Sequence, residues 1–331
     1  MDLVFEKNKK SVIKAQVCFV LPTFNEADNI RNVIEAIFDQ QVNVPDYQFK
    51  VLVVDDNSPD GTQQIVNQLI KKYDSLYLIP GEKNGLGNAY KRGFAYALKT
   101  LNPDFIFQMD SDGQHDPQII PDFISQVNQG YSLVIGSRFI KGGTTPEFSV
   151  RRKLISWLGN ILVRYIGGVR HIRDCTSGFR CISASYLKNC NFRFLSTQGY
   201  SFQSSLVCDL VAQGADCKEI PIVFSKRSFG NSKLSLKDQL EFIWNIPKLG
   251  FRTHKDFVKY SIVGFSGVLI NLGVYVFLTR YLGMMPEIAP ILSIEVSLLS
   301  NFMFNNFWTF KKRLIKSNFL SRLFQFHLVA G

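Results

Sequence analysis

The chain has 331 residues, of which 46% are hydrophobic and 20% charged. That balance excludes a disordered or collagen-like chain and, at roughly 150 residues per domain, allows about two domains. A net charge of +11 points to an anionic partner, and 29 phenylalanines suggest either contact with a membrane or a Phe-rich soluble core.

Residues 16–135 alternate between strand and helix patterns. An apolar run at 17–21 is closed by Pro22, and 27–38 has helical spacing with Ile30, Val33, Ile34 and Ile37 on one face. Residues 51–54 form a second β-branched run, ended by an Asp-Asn-Ser-Pro-Asp-Gly turn. Helix is then expected at 63–72, strand at 76–79, helix at 88–99, strand at 105–109, helix at 121–129 and strand at 133–135. This rhythm predicts an α/β fold with a mostly parallel sheet covered by helices. Ligands of such sheets sit beyond the carboxyl ends of the strands, where the polar clusters of this chain fall.

Residues 138–180 hold nine Lys and Arg against Glu147 and Asp174, and 226–259 hold eight against Asp238, Glu241 and Asp256. Basic amphipathic helices at 151–168 and 234–250, with Trp157 and Trp244, suit a membrane interface, although packing on the sheet would explain them too. Residues 262–279 contain no charge and are long enough to span a bilayer. A second span is expected at 288–310, interrupted by Glu295 and three asparagines. Glu295 is either functional or bonded to an asparagine within the bundle. Basic flanks outside both segments place the large domain in the cytoplasm by the positive-inside rule. DFVKYSIVG at 256–264 is echoed by RLFQFHLVA at 322–330, which predicts a repeated two-helix unit cut short at Gly331.

Six cysteines without CxxC spacing and four scattered histidines predict neither zinc nor disulfides, and reduced thiols fit a cytosolic compartment. The charged first sixteen residues lack the apolar run of a signal peptide. No nucleic-acid-binding motif accompanies the basic patches, so nucleic acid is not an expected partner.

The sharpest chemical cluster is Asp110-Ser111-Asp112-Gly113-Gln114, directly after a strand. Two carboxylates so placed offer hard oxygens to a Mg²⁺ or Mn²⁺ that also grips a diphosphate, or else form a solvated turn. Pro22-Thr23-Phe24-Asn25-Glu26 and the acids from Asp55 to Asp60 close the first two strands. They could meet the base or ribose of a nucleotide, and Asn25 or Asp60 could simply cap the next helix. The Gly-rich turn at 83–88 lacks both GxxxxGKS and GxGxxG.

PTFNE, VVDDNSPDGT, DSDGQHDP, IGSRFIKGG, RRKLIS, RDCTSGFR and GNSK occur in the order seen in polyprenyl-phosphate glycosyltransferases. From about residue 16 onward the chain resembles the dolichyl-phosphate mannose synthases, inverting family-2 glycosyltransferases of the GT-A fold. SIVGFSGVLINLG and NFMFNNFWTF are similar to the GtrA-like membrane domain fused to some of them. That domain usually has four helices, so only its first half is expected here. The resemblance implies a cytosolic transferase domain over 1–233, interfacial helices over 234–256 and a membrane domain over 257–331, with spans at about 260–281 and 288–310 and the start of a third.

It further implies that Pro22, Phe24, Glu26, Val54 and Asp56 hold the nucleotide, with Phe24 where tyrosine is frequent. Asp110, Ser111 and Asp112 would contact the donor diphosphate, and Asp110, Asp112 and Gln114 would ligate Mg²⁺ or Mn²⁺. Arg138, Arg152 and Ser156 would receive the lipid phosphate, and Arg227 and Lys233 would close on the donor. Asp112, Arg138 and Arg152 are the expected catalytic residues. A phosphate monoester is largely dianionic near pH 7, so no strong general base is needed, and arginines must align it. The expected reaction moves a hexose, with mannose from GDP-mannose favoured, onto dolichyl or polyprenyl phosphate. The alternatives are UDP-glucose or another donor on the same fold, and a non-enzymatic membrane scaffold or translocation partner.

Overall fold

A computed structural model describes residues 15–190, 192, 201–225, 236–253, 255–311 and 318–330. The chain divides into two compact units, Met1–Leu249 and Gly250–Gly331.

The first unit opens with β1 (Ala15–Thr23), α1 (Ala27–Asp39), β2 (Tyr47–Asp55), α2 (Thr62–Ile70), β3 (Leu76–Pro80) and α3 (Leu86–Tyr96). It continues with β4 (Phe105–Gln108), α4 (Ile120–Asn128), β5 (Leu133–Ser137), α5 (Val150–Ile166), β6 (Arg180–Ser183), α6 (Ala184–Asn189), α7 (Ser201–Ala212), β7 (Cys217–Pro221) and most of α8 (Leu236–Thr253), whose last residues fall in the second unit. The strands lie in the order β3-β2-β1-β4-β6-β5-β7. All pairings are parallel except those of β6, which runs against both β4 and β5.

The strands read as nearly unbroken apolar runs because helices cover both faces. The pleat sends alternate residues of β1 to opposite sides. Cys18 and Val20 join Tyr90 and Phe94 of α3 in one core, while Val17, Phe19 and Leu21 join Ile30, Ile34 and Ile37 of α1 in the other. At Gly93 the helix α3 presses onto the sheet: a Cβ there would stand 2.5 Å from Val20 Cγ1 and 2.8 Å from Val54 Cγ2. The crevice between β1 and β4 is the point where successive connections diverge to opposite sides of the sheet, the usual ligand position in such folds.

The strands expected from sequence are all present, and β6 and β7 add to them. None of the six cysteines, five of them buried, is joined to another in a disulfide.

The second unit contains α9 (Lys255–Arg280), α10 (Ala289–Phe304) and α11 (Phe319–Ala330). Asp256–Arg280 is long and apolar enough to cross a membrane. Ser297 Oγ donates to the carbonyl of Gly267 at 2.8 Å, so α9 and α10 approach closely at a glycine. Glu295, left open between two readings by the sequence, meets the imidazole of His327 on α11 at 2.7 Å. Past α10 the chain makes one π-helical turn, Asn305–Thr309, with Asn305, Asn306 and Thr309 buried.

Candidate functional site

The carboxyl ends of β1 and β2 are joined by side chains. Pro22 and Val54 are register partners. Asp55 is fully buried and accepts from the Thr23 hydroxyl, the Ser58 main chain and hydroxyl, and the Gln63 amide. It is thus the fastener of the loop. Asp56, the next residue, is also buried and pairs with Arg92 of α3 at 2.6 Å. Burial raises the Asp56 pKa, and the Arg92 bond and charge offset this only in part. Glu26 is buried and accepts from the Asn29 amide at 2.9 Å. Lys83 sits 3.5 Å above the Phe24 ring. Val54 is wholly inside the core, so any contact it makes with a nucleotide runs through its main chain.

Asp60 has the capping role that sequence offered as one alternative. It accepts from the main-chain N–H of Ala27 at the start of α1 and of Thr62 at the start of α2. Burial pushes its pKa up, but these bonds and that from the Thr62 hydroxyl outweigh it, and the pKa is lowered.

The Asp110–Gln114 turn leaves β4 beside β1. Ser111 Oγ donates to the Pro22 carbonyl at 2.8 Å, tying the turn across the crevice. Asp112 is buried and accepts from the Gln114 N–H at 3.1 Å. Gln114 donates through Nε2 to the Ser225 carbonyl at 2.8 Å, so the atom it would offer a cation is its amide oxygen. Asp110 accepts from the Tyr90 hydroxyl at 2.9 Å, and its main-chain N–H donates to His115 Nδ1. Burial pushes His115 down to about 4, so its ring is neutral at neutral pH and props the turn through Nδ1. The donors are hard oxygens, which suit Mg²⁺ or Mn²⁺. No cluster of three or more His, Cys, Asp or Glu able to hold a metal occurs among the described residues.

A cavity of about 350 Å³ opens beside this turn. Its lining includes the polar residues Asp110, Gln114, Arg138, Arg152, Ser156 and Thr176. It also includes the apolar Ile155, Leu158 and Leu162 from α5, and Phe242 and Ile243 from α8. The three residues expected to receive a lipid phosphate thus meet in one place, together with Asp110 and Gln114.

Arg138 does not present an open fork there. Its Nε and Nη2 donate to the two carboxylate oxygens of Asp174 at 2.7 and 2.8 Å, and Nη2 also reaches Thr176. Asp174 is 0% exposed and the Arg138 side chain 9%. Burial opposes both charges, but each partner outweighs it: Asp174 is lowered and Arg138 raised. Arg152 is exposed, with its guanidinium 3.8 Å above the Phe148 ring. Arg227 and Lys233 lie outside the described residues, in a segment that follows Ser225.

Sequence reasoning assigned no role to Asp174, Tyr90, Arg92 or Gln203, although each touches the site or a residue of it. Asp174 left a trace, being one of two acids among nine cations. Arg180 left none: it is fully buried and donates to the carbonyls of Gln203 and Cys175. Burial lowers its pKa to about 10, so it stays charged.

Comparisons with known proteins agree with this architecture. Residues 18–190 match the model of glycosyl transferase family 2, and 259–331 match that of the GtrA/DPMS transmembrane domain. A dolichol-phosphate mannosyltransferase of Pyrococcus furiosus is 35% identical over 321 residues, 95% of this chain and 86% of that one. A polyprenol monophosphomannose synthase of Mycolicibacterium smegmatis is 32% identical over 239 residues, 72% of this chain and 88% of that one. Glucosyl-3-phosphoglycerate synthase of Mycobacterium tuberculosis, crystallised with Mn²⁺ and UDP, shares the GT-A fold at a TM-score of 0.53 and 16% identity, over 72% of this chain and 80% of that one. The chain therefore belongs to glycosyl transferase family 2 and is a membrane-associated glycosyltransferase whose GT-A unit is followed by a GtrA/DPMS transmembrane domain.

Proposed function

We propose that the enzyme transfers mannose from GDP-mannose to dolichyl or polyprenyl phosphate, inverting the anomeric centre to give a β-linked glycolipid. The observation that carries this reading is a cavity lined both by Asp110, Arg138, Arg152 and Ser156 and by apolar side chains of α5 and α8. A lipid phosphate combines the same two characters. The relatives named for dolichol-phosphate and polyprenol mannose chemistry support the sugar and the lipid. The GtrA/DPMS domain supports a membrane substrate, and the basic flanks of the apolar segments support a multi-pass chain with its transferase unit in the cytoplasm.

In this mechanism Pro22, Phe24, Glu26, Val54 and Asp56 line the nucleotide side, and Arg227 and Lys233 close on the donor. Arg152 and Ser156 hold the acceptor phosphate. Arg138, clamped by Asp174, orients it from a fixed position. A phosphate oxygen attacks C1 of the mannose as the bond from C1 to the nucleotide diphosphate breaks, so the diphosphate leaves from the opposite face. The nucleophile is already an anion, so positioning and electrostatics supply the catalysis. A Mg²⁺ or Mn²⁺ held by Asp112 and Gln114, with Asp110, would neutralise the charge that collects on the leaving diphosphate.

The test uses the full chain in detergent with Mn²⁺, polyprenyl phosphate and a panel of nucleotide sugars, read by mass spectrometry of the lipid. A mannosyl phospholipid from GDP-mannose is expected, lost on chelation and restored by Mn²⁺. Product from UDP-glucose and none from GDP-mannose would overturn the donor. No product from any donor would overturn the enzymatic reading in favour of a scaffold.

A further inference from the structure

Asp110 is held more firmly than a metal or diphosphate ligand on an open turn would be. The Tyr90 hydroxyl donates to its Oδ1 at 2.9 Å. On the other side, a Cβ on residue 178 would stand 2.9 Å from Asp110 Oδ2, so the carboxylate lies directly against Gly178. The main chain of Asp110 is tied to His115. Tyr90 itself has no freedom to move. It is fully buried, and its ring lies parallel to that of Phe202, with centroids 6.1 Å apart. Its neighbour on the same helix face, Gly93, lets α3 descend onto Val20 and Val54. That close approach is what brings the phenol within reach of the strand end.

We propose that Tyr90 is a positioning residue: its hydroxyl and Gly178 together clamp the Asp110 carboxylate in the one orientation that serves the donor diphosphate and its cation. The proposal rests on the reading of Asp110 as part of that site. Without the phenol, Oδ1 loses the Tyr90 hydrogen bond and the carboxylate is less firmly fixed. The ring and its packing survive in Tyr90→Phe, which separates the clamp from the core.

The experiment compares Tyr90→Phe, Gly178→Ala and Asp110→Ala with the wild type in the full chain. Mn²⁺ binding in the presence of GDP is measured by electron paramagnetic resonance, alongside kcat, both KM values and the melting temperature. For Tyr90→Phe we expect Mn²⁺ affinity and kcat to fall about ten- to a hundredfold, the span of one hydrogen bond to a charged group. The KM for the lipid phosphate should be unchanged, and the loss should exceed what any fall in melting temperature explains. Gly178→Ala, which pushes the same carboxylate from its other side, should show the same signature. Mn²⁺ affinity and kcat within twofold of wild type in Tyr90→Phe, while Asp110→Ala loses both, would overturn the clamp and leave the site reading intact. A loss that follows only a lower melting temperature would overturn it as well. Asp110→Ala behaving as wild type would overturn the clamp and the assignment of Asp110 together.

Discussion

Asp174 shows how a buried acid can define a site without touching substrate. It lies wholly inside the protein, where an ionised carboxylate is costly unless a cation is fixed beside it. Arg138 supplies that cation through two side-chain bonds and one from its main chain. Removing one partner of such a pair strands the other charge, a loss of about 3–5 kcal/mol. Asp174→Asn should therefore lower stability by about that much in chemical denaturation, and should lower kcat because Arg138 is no longer held. The pH dependence has a definite sign. The Asp174 pKa is lowered in the native state, so the unfolded state binds more protons. Its contribution is complete above an ordinary carboxylate pKa of about 4, and is lost as pH falls through the lower native value. The melting temperature of the wild type should drop more steeply below about pH 4 than that of Asp174→Asn. Parallel acid-side slopes would contradict the assignment.

At the scale of elements, α5 links phosphate chemistry to lipid. Ser149 caps it by accepting from the Arg152 N–H, which fixes the helix start where Arg152 must stand. Asn160 accepts from the Cys175 N–H at 2.7 Å and donates to Thr176, fastening the helix to the loop that carries Asp174. Few residues of α5 are buried, while Leu154, Trp157, Leu158, Leu162 and Tyr165 are exposed. Leu240, Ile243 and Trp244 of α8 are exposed too. An apolar face of this kind beside a basic helix start is suited to a membrane interface. Ile155→Asp puts a charge into the cavity wall. It should raise the KM for lipid phosphate about tenfold or more, in line with the cost of one lost apolar contact, with the KM for the nucleotide sugar unchanged. An equal rise in both would remove α5 from the acceptor path.

For the whole molecule, the decisive feature is the joining of a transferase unit to an apolar helical unit in one chain. The net charge of +11 sits mainly in the two basic stretches before the apolar segments, where it can meet anionic lipid headgroups. Full-length protein should stay with membranes through an alkaline carbonate wash, which removes proteins bound by charge alone. Release into the wash would contradict a membrane-crossing role for Asp256–Arg280. High salt should weaken only the electrostatic share, since exposed charges are screened over about 10 Å at 0.1 M.

Amino-acid order alone carried the alternating helices and strands, one apolar segment long enough to cross a membrane and the motif turns at the ends of β1, β2 and β4. These are local properties: each depends on which face of one element is apolar, or on which residues follow a strand directly. It did not disclose β6, a four-residue strand that contains Arg180 and owes its place to pairing with β4 and β5. Nor did it disclose that the Arg138 fork is taken by Asp174, or that Tyr90 holds Asp110. Those facts join residues 20 to 36 positions apart, or depend on how deeply a helix settles on a sheet at Gly93. Only the packed structure decides them, because a buried charge or hydroxyl takes its partner from whatever the fold brings within about 3 Å, and sequence distance does not enter that choice.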